Sequence, residues 1–366
     1  MRFVRATLMA LAAPLVAVAA ALVITSLVIV MSGNSPSDFW SIILEPPADR
    51  VYVNIVNQSS MLFLSALAAA IGFRMNLFNI GVEGQYQVAS YAAAVVAGAA
   101  IVGGFLNVVL CLLVAMVAGS LWAGIAGILK TTRGVSEVIS TIMLNAIALT
   151  LTGYLLNTYG EKTGNARRTP VIEESSNVGG WAPFLPRDGE IWTLAILALL
   201  AGVIFSFVIN RTSFGFDLRA TGMSETAAVA SGVKVNRMVV ISMMLSGAVA
   251  GLIWMPAFFG AAHTYGTTFQ AGLGFTGIAV ALLGRNRPLG IFFGAVLFAF
   301  LNEQSNRLTL QTDISQNIVQ ITQGVIVLAV VVAYEVVGRR KAAAEQRAVT
   351  RKLEADRATT NEEVTA

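Results

Sequence analysis

Runs of about 20 apolar residues recur along this chain and constrain its fold more than any other feature. The chain has 366 residues, of which 56% are hydrophobic and only 12% are charged. An α-helix rises about 1.5 Å per residue, so each such run is long enough to cross the hydrocarbon core of a bilayer. The chain is therefore predicted to be an all-α, polytopic integral membrane protein. This composition is not that of a water-soluble domain.

Polar breaks divide the apolar sequence into about ten predicted transmembrane helices. Their ranges are 8–31, 54–73, 80–102, 105–129, 137–158, 191–209, 238–260, 271–284, 289–302 and 314–337. The first run is longer than the usual hydrophobic core of a signal peptide, so it is predicted to be a retained span. One transmembrane domain is thus predicted over residues 1–340. Residues 341–366, rich in Ala and charged residues, are expected to form a cytoplasmic tail that is disordered or a frayed helix.

Basic residues lie mostly on one side of these predicted spans. With a cytoplasmic N-terminus, the outer side contains few of them, namely Arg50, Lys162, Arg167, Arg168, Arg187 and Arg307. The inner side contains more than twice as many, namely Arg2, Arg5, Arg74, Lys130, Arg133, Arg211, Arg219, Lys234, Arg237, Arg285, Arg287, Arg339, Arg340 and Lys341. Because cytoplasmic loops are enriched in Lys and Arg, both termini are predicted to be cytoplasmic. The orientation accounts for the net charge of +4, and no nucleic-acid partner is inferred from it.

The predicted cytoplasmic loop 210–237 contains a short helical pattern. Ser224 is a favourable N-cap, Glu225 suits the positive end of the helix dipole, and Gly232 can end the helix in the left-handed conformation. Such a helix of about two turns, with mostly small side chains, can pack closely into a groove of another protein. The alternative is a surface connector without a partner. The candidate docking residues are Arg219, Gly222, Glu225, Ala228 and Gly232.

A second polar stretch, residues 73–86, joins the second and third predicted spans. A charged Glu83 facing lipid would be costly, so it is expected to face the helix bundle, a water-filled path or Arg74. Glycines in this stretch permit a broken helix, whose freed backbone groups the nearby amides can satisfy. The stretch is therefore predicted to be a re-entrant turn or part of a solute pathway. Asn145, in the fifth predicted span, is expected to hydrogen-bond another helix or to line a pore. The candidate residues are Asn76, Asn79, Glu83, Gln85 and Asn145.

The sequence contains no set of residues typical of catalysis or metal binding. It has one histidine, His263, and one cysteine, Cys111, too few for a His/Cys metal site. Residues 124–131 approach the pattern of a phosphate-binding loop, but Leu129 stands where the loop needs a glycine before its lysine. The chain is therefore predicted not to be an enzyme and to hold no cofactor or metal. Any ATP hydrolysis is expected in a partner subunit.

Three separated motifs resemble those of one transporter family. They are residues 73–85, residues 219–222 with Ala228 and Gly232, and residues 274–284, which read GFTGIAVALLG. Their order along residues 8–340 resembles the ABC-importer permeases of the branched-chain amino acid and ribose type. Within that family the chain is most similar to the nucleoside permeases, which are also described as simple-sugar permeases. That finer similarity lies mainly in residues 76–85.

The resemblance implies an ATP-driven importer in the bacterial cytoplasmic (inner) membrane. Two permease subunits would form the solute pathway, and the second would be a similar but nonidentical chain. A cytoplasmic ABC ATPase would bind ATP and Mg²⁺, and a periplasmic or lipid-anchored binding protein would deliver the solute. The 219–233 helix would be the coupling helix that docks in a groove of the ATPase.

Alternatives to a nucleoside permease remain open at this stage. The solute of an ABC permease can also be a ribose-like sugar or a branched-chain amino acid. Glu83 and the possible broken helices would also fit a self-sufficient secondary transporter or channel. A membrane enzyme is disfavoured because the sequence offers no plausible acid, base or metal set.

Overall fold

The computed structural model describes residues 2–181, 189–312 and 314–365, and most of these residues lie in helices. The α-helices are α1 (Arg2–Met31), α2 (Pro36–Leu44), α3 (Asp49–Arg74), α4 (Val82–Ala99), α5 (Phe105–Arg133), α6 (Glu137–Tyr159), α7 (Ile196–Arg211), α8 (Ser213–Met223), α9 (Glu225–Ala230), α10 (Val235–Gly251), α11 (Met255–Ala257), α12 (Leu273–Leu283), α13 (Pro288–Gln311) and α14 (Gln316–Thr365). The prediction of a helical fold is confirmed. Arg187, assigned to the outer side from the sequence, lies outside the described residues.

Short irregular elements interrupt the helices between α6 and α7 and after α11. Strands β1 (Glu161–Thr163) and β2 (Ala166–Arg168) form an antiparallel hairpin. Strands β3 (Gly180–Trp181) and β4 (Ile191–Trp192) form a second antiparallel pair. A π-helix follows α11 over Phe258–Ala262. These pieces connect helices and form no larger sheet within the described residues.

Each predicted span overlaps a helix, but the helices differ in how well they suit a membrane. By length and apolar composition, six helices in the described part of the chain can cross a bilayer: Asp49–Arg74, Phe105–Arg133, Glu137–Tyr159, Thr193–Arg211, Val235–Ala262 and Asn317–Val337. Val18–Met31 and Leu273–Leu283 are apolar but shorter. The chain is thus a multi-pass membrane protein, while the number of about ten spans stays a prediction.

Helix α13 is longer than the span 289–302 predicted from apolar residues. Its polar end continues because the side chains find partners within the protein. Gln304 Nε2 donates to the backbone oxygens of Ile43 at 3.1 Å and Glu45 at 2.8 Å. Arg307 forms a salt bridge with Glu45 at 2.7 Å. The apolar pattern therefore shows where α13 begins but not where it ends.

The chain forms two compact units. Residues 1–42 and 308–366 form the first, in which α1 packs on α14 and Trp40 Nε1 donates to Ser26 Oγ at 3.0 Å. The segment expected to be a tail belongs to α14, which continues to Thr365. Residues 43–307 form the second unit, which contains every candidate site residue.

Helices α5 and α10 cross at backbone contact in the second unit. A Cβ added at Gly247 would overlap the carbonyl oxygen of Gly119, and one added at Gly119 would overlap that of Gly247. One turn further along α10, a Cβ at Gly251 would overlap the carbonyl oxygen of Ala115. Small residues allow this approach, as is usual where membrane helices associate.

We expect Gly247→Val to separate α5 from α10 and to lower the free energy of unfolding by about 3 kcal/mol, the upper end of typical overpacking costs. Denaturation of the purified protein in detergent measures this change. Gly153→Val in α6 is the matched control, because nothing lies within 4 Å of a Cβ at Gly153. Equal destabilisation by the two variants would contradict the packing argument.

Candidate functional site

The chain breaks its helical course between α3 and α4. Helix α3 ends at Arg74, and Asn76 then adopts the left-handed conformation with φ of 59°. Among residues other than glycine, asparagine tolerates this conformation best. Asn76 itself is exposed, whereas Leu77 and Asn79 are buried. The break is therefore a tight turn that directs the following polar residues into the protein.

Asn79 and Gln85 hold this turn together from inside. Asn79 Nδ2 donates to Gln85 Oε1 at 3.1 Å and to Ser246 Oγ at 2.8 Å. Asn79 Oδ1 accepts from Gln85 Nε2 at 2.9 Å and from the Gly81 backbone N–H at 3.0 Å. Ser246 in turn donates to the Ala68 backbone oxygen at 2.6 Å. The network connects α3, the turn, α4 and α10.

Asn145 of α6 binds the start of α4. Its Oδ1 accepts from the Gly84 N–H at 2.9 Å, and its Nδ2 donates to the Ile80 carbonyl oxygen at 3.0 Å. The first N–H groups of a helix have no partner within the helix, so a side chain from a neighbouring helix satisfies one of them here. A Cβ at Gly84 would meet Asn145 Cα at 2.9 Å. Gly84 therefore allows α6 to come this close.

The Glu83 carboxylate bridges the N-termini of two helices. Glu83 lies in the first turn of α4 and is buried. Its Oε1 accepts from the Gly272 N–H at 2.7 Å, and its Oε2 accepts from the Gly274 N–H at 2.9 Å, both at the start of α12. The positive end of a helix dipole favours a carboxylate, and α4 and α12 both direct that end here. Both carboxylate oxygens are thus engaged by backbone donors.

An aromatic cluster adjoins this carboxylate. The Tyr86 hydroxyl lies 3.2 Å from Glu83 Oε1 and donates to the Gln270 backbone oxygen at 2.9 Å. The Tyr86 ring stacks on Phe269 with ring centroids 5.3 Å apart, and Trp254 and Tyr265 contact the same Phe269 ring. Burial raises the pKa of the Tyr265 phenol, so its hydroxyl stays protonated at neutral pH. The cluster closes the space beside the Glu83 site.

Arg74 does not pair with Glu83, which corrects one of the alternatives drawn from the sequence. Arg74 Nε and Nη2 donate to the Asn286 backbone oxygen at 3.0 and 2.8 Å. Asn286 and Arg285 both have left-handed backbones, which form the tight turn between α12 and α13. Glu83 is satisfied by helix N-termini instead, so the two charges serve different junctions.

The loop 210–237 forms two helices, where the sequence predicted one over 219–233. Helix α8 starts after Thr212, whose Oγ1 accepts from the Gly215 N–H at 3.1 Å, and it includes Arg219 and Gly222. Helix α9 starts after Ser224, whose Oγ accepts from the Ala227 N–H at 3.3 Å. Gly232 follows α9 with φ of 87°. The predicted cap at Ser224 and left-handed Gly232 are confirmed, and the extra helix arises from the cap at Thr212.

The candidate docking residues of this loop divide into inward and outward groups. A Cβ at Gly222 would meet the Arg74 carbonyl oxygen at 2.6 Å, so α8 packs on the end of α3. Ala228 is also buried, with 2% exposure. Glu225 and Gly232 are exposed, as are Met223 at 84% and Val229 at 60%. A partner would thus meet Glu225, Met223 and Val229 rather than Gly222 or Ala228.

Several residues that build this site were not found from the sequence. Ser246 and the N–H groups of Gly272 and Gly274 lie far along the chain from the turn that they complete. The GFTG run at 274–277 was a signal for close packing, and a Cβ at Gly277 would overlap Ser65 Oγ. No pattern within this run predicts that the N–H groups at the start of its helix donate to Glu83.

Comparison with known proteins places the chain in a family. The family model described as the permease component of the branched-chain amino acid transport system matches residues 51–333. The chain belongs to this permease family. The matched residues run from the start of α3 into the first part of α14, and they include the turn at Asn79 and helices α8 and α9. The chain is therefore a permease subunit of an ABC transporter. Residues 124–131, which approached the pattern of a phosphate-binding loop, lie inside its helix α5.

Individual relatives of the permease carry different solute names. It is 36% identical over 339 residues to the guanosine ABC transporter permease protein NupP of Bacillus subtilis, covering 89% of this chain and 94% of that protein. It is 30% identical to the nucleoside ABC transporter permease protein NupB of Lactococcus lactis, covering 75% and 77%. It is 28% identical to the glucose ABC transporter permease protein TsgB13 of Haloferax volcanii, covering 73% and 72%.

Proposed function

We propose that this permease imports nucleosides and is driven by ATP hydrolysis in a separate subunit. The observation that carries the proposal is the 36% identity to a guanosine permease over 89% of this chain. The relative named for glucose is less similar and covers less of the chain. A nucleoside is accordingly favoured over a ribose-like sugar or a branched-chain amino acid.

The proposed assembly contains four kinds of component in the bacterial inner membrane and on its two sides. This permease, with about ten spans and both termini in the cytoplasm, pairs with a second, nonidentical permease. A cytoplasmic ABC ATPase binds ATP and Mg²⁺, and a periplasmic or lipid-anchored binding protein delivers the solute. The basic residues of the predicted inner loops support this orientation.

Helix α9 is proposed to be the coupling helix. It has six residues and follows the N-cap Ser224, and the apolar side chains of Val229 on α9 and of Met223 at the end of α8 are exposed. Exposed apolar side chains on a short capped helix fit a groove in a partner protein. Helix α8 packs against Arg74 and Met75, close to the turn that holds Asn79. A movement of α9 can therefore reach the α3–α4 break through α8.

The exposed face of α6 is proposed to line the solute pathway opposite the second permease. Thr150, Tyr154 and Asn157 lie at helical spacing on this face, and all three are exposed. Polar side chains that faced lipid would be costly, so this face suits a water-filled path or another subunit. Thr150 Oγ1 already donates to the Ala146 backbone oxygen. The Asn157 amide has no hydrogen-bond partner among the described residues, so it can bind a solute.

The residues around Glu83 are proposed to set the shape of the broken helices rather than to bind solute. Both Glu83 oxygens and every polar atom of the Asn79 side chain have partners inside the protein. Asn145 likewise uses both its oxygen and its nitrogen. Groups so fully engaged offer little to a passing nucleoside.

Uptake competition in cells or proteoliposomes that contain the whole transporter tests the solute. We expect an excess of unlabelled nucleoside to occupy the same site and to reduce uptake of radiolabelled guanosine. Ribose and leucine are expected to leave uptake unchanged, since a site built to hydrogen-bond its solute rejects molecules that lack those groups. Competition by ribose or leucine, without competition by nucleosides, would contradict the proposal that the solute is a nucleoside. Uptake by the purified permease alone, driven by an ion gradient, would instead support a secondary transporter.

A further inference from the structure

The β1–β2 hairpin lines a cavity of about 340 Å³ that the proposed transport mechanism does not use. The segment after the π-helix forms its other wall, and the lining includes Arg167, Arg168, His263, Thr264, Thr267 and Thr268. The cavity is thus bordered by guanidinium groups, an imidazole and hydroxyls. Its volume suits a small molecule or a headgroup rather than a single water.

The two walls of this cavity are held together by specific contacts. The Thr169 N–H donates to the Tyr265 carbonyl oxygen at 2.9 Å, and the Tyr265 N–H donates to Thr169 Oγ1 at 2.9 Å. The Ile172 N–H donates to the His263 carbonyl oxygen at 3.1 Å. A Cβ at Gly266 would meet the Arg167 carbonyl oxygen at 2.6 Å. The cavity is therefore a built feature, with both walls connected by backbone hydrogen bonds.

The positive charge of the cavity is not neutralised within the described residues. No Asp or Glu is among the residues that line it. Glu161 lies opposite Arg168 in the hairpin, yet the two form no ion pair there. Arg168 Nε is buried and has no hydrogen-bond partner, while Arg167 uses Nη1 to donate to the Gly160 backbone oxygen. The remaining N–H groups of Arg167, which is exposed, have no partner among the described residues and can donate to an acceptor that enters the cavity.

We propose that this cavity is a binding site for a phosphate group. The planar guanidinium fork of arginine matches the oxygens of a phosphate, and charged hydrogen bonds of this kind are the strong ones. The threonine hydroxyls supply further donors. The phosphate belongs either to a free phosphorylated solute or to the headgroup of an anionic lipid. The proposal does not depend on which solute the permease transports.

Thermal unfolding of the complete transporter in dodecyl maltoside, a detergent without phosphate, tests the site, with inorganic phosphate as the probe and chloride at equal ionic strength as the reference. We expect phosphate to raise the unfolding temperature in a saturable way. The double variant Arg167→Gln/Arg168→Gln is expected to need at least about tenfold more phosphate for the same rise. Lys162→Gln is the matched control, since Lys162 carries the same charge on the same hairpin but does not line the cavity.

Two further arms make the result decisive. Arg167→Lys/Arg168→Lys keeps the charge and loses the fork, so we expect weaker binding than in the wild type with folding preserved. With phosphatidylglycerol added to the detergent micelles, loss of the phosphate response would identify the lipid headgroup as the source, and a retained response would identify a free solute. The proposal is overturned if wild type shows no saturable response in the phosphate-free detergent, or if the Gln double variant responds as wild type does.

Discussion

Glu83→Ala is expected to abolish uptake and to lower the free energy of unfolding by about 3 kcal/mol, because each buried partner left unsatisfied costs about 1–3 kcal/mol. The variant removes the acceptor for the Gly272 and Gly274 N–H groups. These donors lie where α12 meets the start of α4. Without the carboxylate, the N-termini of two helices would face each other across an unfilled space.

Denaturation in detergent and uptake in cells are the two measurements for Glu83. Glu83→Gln is expected to have an intermediate effect, since its single oxygen can accept from only part of the donor set and its amide faces the remaining N–H groups. Glu303→Ala is the matched control, because Glu303 is a partly buried glutamate in α13 that accepts from Asn54 at 3.2 Å. Normal stability and uptake of Glu83→Ala would refute a role for Glu83 at this junction.

Val229→Asp is expected to abolish transport and to weaken binding of the ATPase by at least about tenfold, as removal of a central interface residue typically does. Val229 is 60% exposed on α9. The stability of the permease is accordingly expected to change by less than about 0.5 kcal/mol, as for other surface substitutions. The effect would therefore report on the partner rather than on folding.

Co-purification of the ATPase with the tagged permease measures this binding. Val171→Asp, the same substitution at an exposed valine in another loop, is the control and is expected to leave ATPase binding unchanged. Ala228→Leu is expected to lower the stability of the permease, unlike Val229→Asp, because Ala228 is buried and a larger side chain disturbs the packing of α9 itself. If the Val229→Asp permease still co-purified with the ATPase, the proposal that α9 is the coupling helix would be wrong.

Local features of the site were predictable because their causes lie within a few residues. Ser224 accepts the N–H of Ala227, three residues on, and Gly232 needs only its own lack of a Cβ to turn the chain. Asn76 likewise serves the turn through its own backbone conformation. The second helix in the loop, α8, was not predicted, although its N-cap Thr212 is also a capping residue type.

The sequence by itself determined that this is a helical membrane protein with a polar stretch at residues 73–86 between two helices and a capped helix after Ser224. Hydrophobic runs, caps and left-handed positions act over short distances, so they can be seen in the order of residues. Only the tertiary structure decided that Glu83 binds the start of α12 rather than Arg74, and that Ala228 faces inward. The partners of Glu83 lie 189 and 191 residues away, and which groups meet over that separation depends on how the helices pack.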